Sequence, residues 1–366
     1  IFSSDSEYLN LINLARVKRI SSLEQLDLNE HLSKVERNKL EAIDIEIKNY
    51  KKTYGLIDFT DMLDKFLEKG SISNKLDVVF VDEAQDLSII QWDVLNKIEK
   101  ENSADIWVAG DDDQAIFGWA GADVDSFIDW EANEIPLQQS ERVPSQIQEI
   151  ALSIINRVQD NRLEKTYKPK KEKGEIFEVI NLCDIDMIKG TWLILARTNP
   201  LLKPISSILK NKGLFFKTVD GNSIAKNLYE DKLNWDKMRK GETIPEIQEQ
   251  RLLEKIKGKP NLDLEWYDAF TNVASAKIDY LRVMLSNGEK INKDPRITVS
   301  TIHSAKGGEA TNVVLFLNQT TNTMKASKKS VYKQDEEYRV WYVGVTRTIQ
   351  NLYLVKCNNK RKEFII

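Results

Sequence analysis

Two clusters of acids stand where short apolar runs end. The run Val78 to Val81 leads into Asp82-Glu83 within VFVDEAQD, and the run Ile106 to Ala109 leads into GDDDQAIFGWAGAD. An aspartate at a strand end can hold Mg²⁺, mostly through water, because that ion prefers hard oxygen ligands and keeps part of its hydration shell. A glutamate directly after it can orient or deprotonate an attacking water. Gln114 can hydrogen-bond both a phosphate oxygen and a nearby acid, so it can report whether a γ-phosphate is present. Phe117 and Trp119 lie in a glycine-punctuated loop, where exposed aromatics can stack on nucleic-acid bases.

A third stretch, TVSTIHSAKGGEATNVVLF, spans 298–316. Thr301, His303 and Ser304 are polar groups able to bond backbone phosphates. Gly307 and Gly308 permit close backbone approach, and Glu309 can accept from a ribose hydroxyl. Arg142 and Arg347 are candidates for stabilising charge on a transferred phosphoryl group. Each residue also has a plain structural alternative. Acids favour helix N-termini, a tryptophan can fill a local core, a histidine can serve a loop, and a lone arginine can sit in solvent.

The elements that must position these residues follow from periodicity. Between the two acid-tipped runs, Leu87, Ile90, Val94, Leu95 and Ile98 mark one face of a helix. Strand, helix, strand is half of an open α/β sheet, which binds ligands at the carboxyl ends of its strands. Residues 1–70 read as helical, with His31 on a solvated surface and Asp58 or Thr60 able to cap the last helix. A domain boundary is expected near 132–140, so that 71–135 closes the first α/β unit and 136–221 opens the second. A helix is expected from Pro144 to about Val158. The basic stretch 162–173 and Gly174 read as a linker. Strand-like runs follow at Ile176–Ile180, Trp192–Ala196 and Leu214–Val219, with a helix from Leu201 to Lys212 closed by Gly213. Residues 222–293 are polar, rich in Lys and Glu, and read as a helical insertion. The alternation resumes over 294–366 with strands at Ile297–Thr301, Val313–Leu317 and Leu352–Val355. The fold class expected is α/β: two units in tandem with helical insertions.

Composition sets the outer bounds. The chain has 366 residues, 41% of them hydrophobic, and a net charge of −4, which is not that of a dedicated nucleic-acid binder. Basic runs at 162–173, 325–333 and 356–363 matter only if they converge in space. No stretch approaches the roughly 20 apolar residues of a membrane span. Two distant cysteines, Cys183 and Cys357, give no disulfide or zinc framework. A reducing, cytoplasmic setting is expected.

In this order the motifs resemble superfamily 1 DNA helicases of the UvrD/Rep/PcrA type, over roughly residues 55–366 and most weakly over 222–293. VDEAQD resembles that family's motif II, GDDDQAIFGWAGAD motif III, LQQSERVPSQI motif IV, TIHSAKGGEA motif V and YVGVTRTIQNLYL motif VI. The resemblance implies two RecA-like domains, with ATP and Mg²⁺ as cofactors and single-stranded or duplex DNA as partner. It also implies 3′→5′ polarity. Asp82 would coordinate Mg²⁺ and Glu83 would activate water. Gln114 would sense the γ-phosphate, and Arg142 and Arg347 would act as arginine fingers. Glu309 would contact the ribose, with Lys306 and Gly307 in the loop coupling nucleotide to DNA. Trp119 and Phe117 would stack on bases, while Thr301, His303 and Ser304 would lie along the strand.

The chain also departs from the family. It has no G-x-x-x-x-G-K-[ST]; its one Gly-Lys pair, Gly258-Lys259, is followed by Pro260. The phosphate-cradling loop and the family's adenine-reading glutamine are therefore absent. Both precede motif II in the family, and this chain starts at Ile1 without methionine. A fragment of a longer helicase, inactive on ATP by itself, is the expectation. A relative that lacks the loop and serves as a non-catalytic DNA-binding or protein-interaction module is the alternative. Ala120 stands where the family carries an arginine, Ser-Glu-Arg-Val replaces Asn-Tyr-Arg-Ser, and Gly308 replaces a leucine.

Overall fold

The computed structural model describes residues 6–29, 35–72 and 74–366; His31 lies outside the described residues. The chain divides into two compact units. The first comprises residues 1–137, 158–165 and 331–339, and the second the remainder.

The first unit opens with four helices: α1 (Glu7–Val17), α2 (Ser22–Asp27), α3 (Arg37–Tyr54) and α4 (Phe59–Lys69). Leu11, Ile12, Leu26, Val35 and Leu40 form a core shared by α1, α2 and α3. Asp58 caps α4 in a reciprocal capping box with Asp61, satisfying donors the helix start leaves exposed. Arg16 of α1 and Lys51 of α3 both bond that pair of aspartates, so three helices meet at one charged knot.

β1 (Val78–Val81), α5 (Ile89–Asn102) and β2 (Asp105–Val108) follow, then α6 (Val124–Ile128). β1 and β2 pair in parallel, with Val81 opposite Val108. This is the strand–helix–strand unit read from the sequence, with Trp92 joining Ile90 and Leu95 among the buried residues of α5. Alternation sends Val79, Val81, Ile106 and Val108 inward against Ala84, Trp92, Leu95, Phe127 and Trp130. The opposite face carries Phe80 at 78% exposure and Trp107 at 52%. Parallel sheets are ordinarily covered on both faces.

The second unit is built on a seven-stranded sheet. Its elements are β3 (Gln139–Pro144), α7 (Ser145–Ile155), β4 (Lys168–Lys170), β5 (Glu175–Val179), β6 (Trp192–Ala196), α8 (Leu202–Asn211), β7 (Phe216–Thr218) and β8 (Gly221–Asn222). The helices α9 (Lys226–Arg239), α10 (Glu246–Leu253), α11 (Trp266–Ala269) and α12 (Ser275–Ser286) come next. The chain closes with β9 (Ile297–Thr301), β10 (Ala310–Phe316), α13 (Thr321–Ser327), α14 (Val331–Thr346) and β11 (Thr348–Val355). The strand order is β5-β11-β10-β6-β9-β7-β8, parallel except for the final β7–β8 pair. β6 is buried at every position, the signature of a central parallel strand.

The helical insertion shares the sheet's core. Trp235, Leu252, Trp266, Phe270, Leu281 and Met284 cluster with Ile194, Val299 and Val314 of the strands. Gly344 lets α14 lie close on the sheet: a Cβ there would come within 3.2 Å of Leu315 and 3.3 Å of Ile302. Among the described residues no helix is long and apolar enough to cross a membrane.

Candidate nucleotide and nucleic-acid site

In the first unit the two acid-bearing loops leave adjacent parallel strands at the same end, which register alone ensures. Ala109 N–H donates to Val81 O at 2.7 Å and Ala84 N–H donates to Ala109 O at 3.0 Å, carrying the pairing past both strand ends. Asp82 is exposed, and its Oδ1 accepts from the Glu83 N–H at 2.9 Å. Glu83 adopts φ +52°, the left-handed region that costs a non-glycine residue energy.

A residue the sequence reading left without a role links the loops. Gln85 is completely buried. Its Nε2 donates to Glu83 Oε2 at 2.6 Å, and its Oε1 accepts from the Asp111 N–H at 3.0 Å. Asp111 Oδ2 in turn accepts from Gln114 Nε2 at 2.8 Å. The path Glu83–Gln85–Asp111–Gln114 joins the candidate base to the candidate phosphate sensor through three hydrogen bonds. Gly110 makes room for it, since a Cβ there would stand 2.5 Å from Gln85 Oε1.

Asp111, Asp112 and Asp113 bring carboxylate oxygens within 4.8 Å of one another. Asp112 and Asp113 are buried, so their charge must be answered locally. The answer comes from residues 158–165, which were expected to be linker in part. Arg162 grips Asp113 through Nε at 2.7 Å and Nη2 at 3.1 Å. Lys165 Nζ reaches Asp111 Oδ1 at 2.7 Å and bonds Asp112 Oδ1. Leu163 N–H and Arg339 Nε fasten Asp112 further, through its carboxylate and its carbonyl. Burial opposes the Lys165 charge, yet the three aspartates outweigh it and raise its pKa. Burial pushes Asp112 upward, with Lys165 acting the other way. The linker reading of 162–173 is therefore corrected at Arg162 and Lys165, and also at Lys168–Lys170, which form β4 beside β3. Three consecutive acids and a distant basic run were the available signal, but pairing across about fifty residues is invisible to local pattern.

Trp119 is 62% exposed, with Phe117 edge-on to it at 6.3 Å between ring centroids. Trp119 is thus the more exposed of the two rings, and Phe117 is partly covered.

In the second unit Arg142 Nε bonds Glu309 Oε2 at 2.6 Å, so two residues expected to touch different parts of one nucleotide are paired with each other. Arg347 is buried, donating through Nε to Val343 O at 3.0 Å and through Nη2 to Thr346 Oγ1 at 3.2 Å. The Thr301 hydroxyl is buried, accepting from the Ser304 N–H and donating to Ser304 Oγ at 3.0 Å. It shapes the turn that presents His303 and Lys306. Burial, reinforced by the Arg197 charge, pulls the His303 pKa down to about 4. Gly307 takes φ +79° with open space where a Cβ would stand.

Acid-bearing loops at parallel strand ends and a second, mostly parallel sheet fit an α/β protein of RecA-like fold. Residues 2–134 match the UvrD/REP helicase N-terminal domain, and residues 222–359 match the UvrD-like helicase C-terminal domain. The chain belongs to the UvrD/Rep family of helicases. DNA helicase II of Haemophilus influenzae is 32% identical over 145 residues, covering 36% of this chain and 20% of that protein. A probable DNA helicase II homolog of Rickettsia felis is 22% identical over 433 residues, covering 84% of this chain and 66% of that protein. The ATP-dependent DNA helicase PcrA of Staphylococcus aureus is 36% identical over 102 residues, covering 26% and 13% respectively. The chain thus spans less than two thirds of the length of these relatives.

Proposed function

We propose that this chain supplies the hydrolysis-coupling loops and second motor domain of an ATP-dependent, 3′→5′ DNA helicase and single-strand translocase. The observation that carries the reading is the hydrogen-bonded path from Glu83 through Gln85 and Asp111 to Gln114. Glu83 takes a proton from the attacking water, and Gln114 bonds the γ-phosphate while remaining in contact with Asp111. A change at the phosphate is thereby passed to the loop that carries Trp119, which holds a base of the single strand. Asp82, one exposed carboxylate in an open loop, suits an ion held largely through water and phosphate oxygens. Bound Mg²⁺ would neutralise phosphate charge there. Arg142 and Arg347 act on the phosphate as charge-stabilising groups once released from Glu309 and from the α14 carbonyl. Glu309, Lys306 and Gly307 serve the nucleotide, and Thr301, His303 and Ser304 serve the DNA backbone. The free thiols Cys183 and Cys357 fit a cytoplasmic setting.

The 366 residues contain no phosphate loop, so we assign ATP turnover to a polypeptide that also carries one. The same observation favours the second reading, a loop-less, non-catalytic DNA-binding or protein-interaction module. The test is direct. The chain should bind a fluorescent oligo-dT single strand yet show no DNA-stimulated phosphate release. Turnover by the chain alone refutes the assignment. Failure to bind the single strand refutes the DNA role in both forms.

A further inference from the structure

We propose that the ammonium of Lys165 is the resident cation of the Asp111–Asp112–Asp113 loop, that it keeps divalent ions out of the cluster, and that through Asp111 it sets the Gln114 side chain. Three carboxylates converging within 4.8 Å have the donor set of a divalent metal centre. Here Lys165 Nζ contacts all three: Asp111 Oδ1 at 2.7 Å, Asp112 Oδ1, and Asp113 Oδ2 at 3.5 Å. Asp111 divides its two oxygens: Oδ1 accepts from Lys165 at 2.7 Å and from the Asp113 N–H at 3.2 Å, and Oδ2 accepts from Gln114 Nε2. Removing the lysine takes the ammonium from Oδ1 and leaves the longer Asp113 N–H bond there, so the acceptor of Gln114 is held less firmly. Arg162 cannot take over, because its fork is spent on Asp113 in two-pronged geometry. Lys165 is thus a positioning residue acting on Gln114 through Asp111. Its importance for catalysis rests on the helicase reading; its occupancy of the cluster does not.

The test uses the 366-residue chain without nucleotide or DNA, so its outcome is independent of the helicase reading. Mn²⁺ binding is followed by electron paramagnetic resonance, and hydrogen exchange is followed across residues 111–117. K165M should acquire one Mn²⁺ that neither the unaltered chain nor K165R binds, and K165M/D112N should lose it. Exchange of the loop should rise at least about tenfold in K165M, as expected when a hydrogen bond to a charged group is lost, and K165R should restore much of the protection. The proposal is overturned if the unaltered chain binds Mn²⁺ at a site abolished by D112N but retained in D82N. It is equally overturned if K165M gains no ion and leaves exchange unchanged. Should K165M fail to fold by circular dichroism, K165M/D112N decides. Removing both members of a buried pair costs less than stranding one, so a double variant no more stable than K165M refutes the assignment.

Discussion

Gln85 and Gly110 make a single steric and hydrogen-bonding unit, and a double-mutant cycle can measure it. In Gln85→Ala the Asp111 N–H loses its acceptor and Glu83 loses a donor at 2.6 Å. A stranded buried donor costs about 1–3 kcal/mol, and a hydrogen bond to a charged group contributes about 1.5–3 kcal/mol. Glu83 is exposed and recovers part of its share from water. A local loss of about 2–4 kcal/mol is therefore expected. Gly110→Ala breaks the same bridge from the other side, because its Cβ would meet Gln85 Oε1 at 2.5 Å and the Phe127 ring at 2.9 Å. With Gln85 already shortened, the first clash disappears and only Phe127 must yield. The double variant should fall short of the summed single effects by about 1–2 kcal/mol, within the range measured for residues in contact. Because two compact units need not unfold together, the assay is native-state hydrogen exchange at Asp111, Gln114 and Ala115. Additivity of the two substitutions within about 0.5 kcal/mol, the behaviour of independent sites, refutes the claim that the bridge is one unit.

Two further predictions concern the loops proposed to meet DNA. Trp119→Ala should weaken single-strand binding by about 1–3 kcal/mol, the value of one base–aromatic stack, with the far-ultraviolet spectrum unchanged; an unaltered affinity by fluorescence anisotropy removes Trp119 from the interface. His303 resists protonation when folded, its pKa being near 4 against roughly 6.5 when unfolded. Its contribution is thus complete above about pH 6.5 and is lost as pH falls toward 4. The unaltered chain should lose about 2–3 kcal/mol more than His303→Gln between pH 7 and pH 4; parallel denaturation curves across that range refute this.

Much of the architecture was legible because its signals are local. The VVFV and DIWV runs alternate inward and outward as strands must, and WLILA is apolar throughout because β6 lies at the centre of a parallel sheet. The helical insertion was legible as helix. Its sharing a core with the strands was not, since Trp235 and Ile194 meet only through the topology.

At the acid loops the same division holds. Sequence alone determined that acids, a glutamine and aromatics stand where two parallel strands end, because strand period and register follow from neighbouring residues. Only the tertiary structure decided what those side chains hold. It gave Gln85 to both loops, Lys165 and Arg162 to the triple aspartate, and Glu309 to Arg142 across 167 positions. A buried charge must find an opposite charge or a donor somewhere, but local patterning does not say from which part of the chain that partner comes.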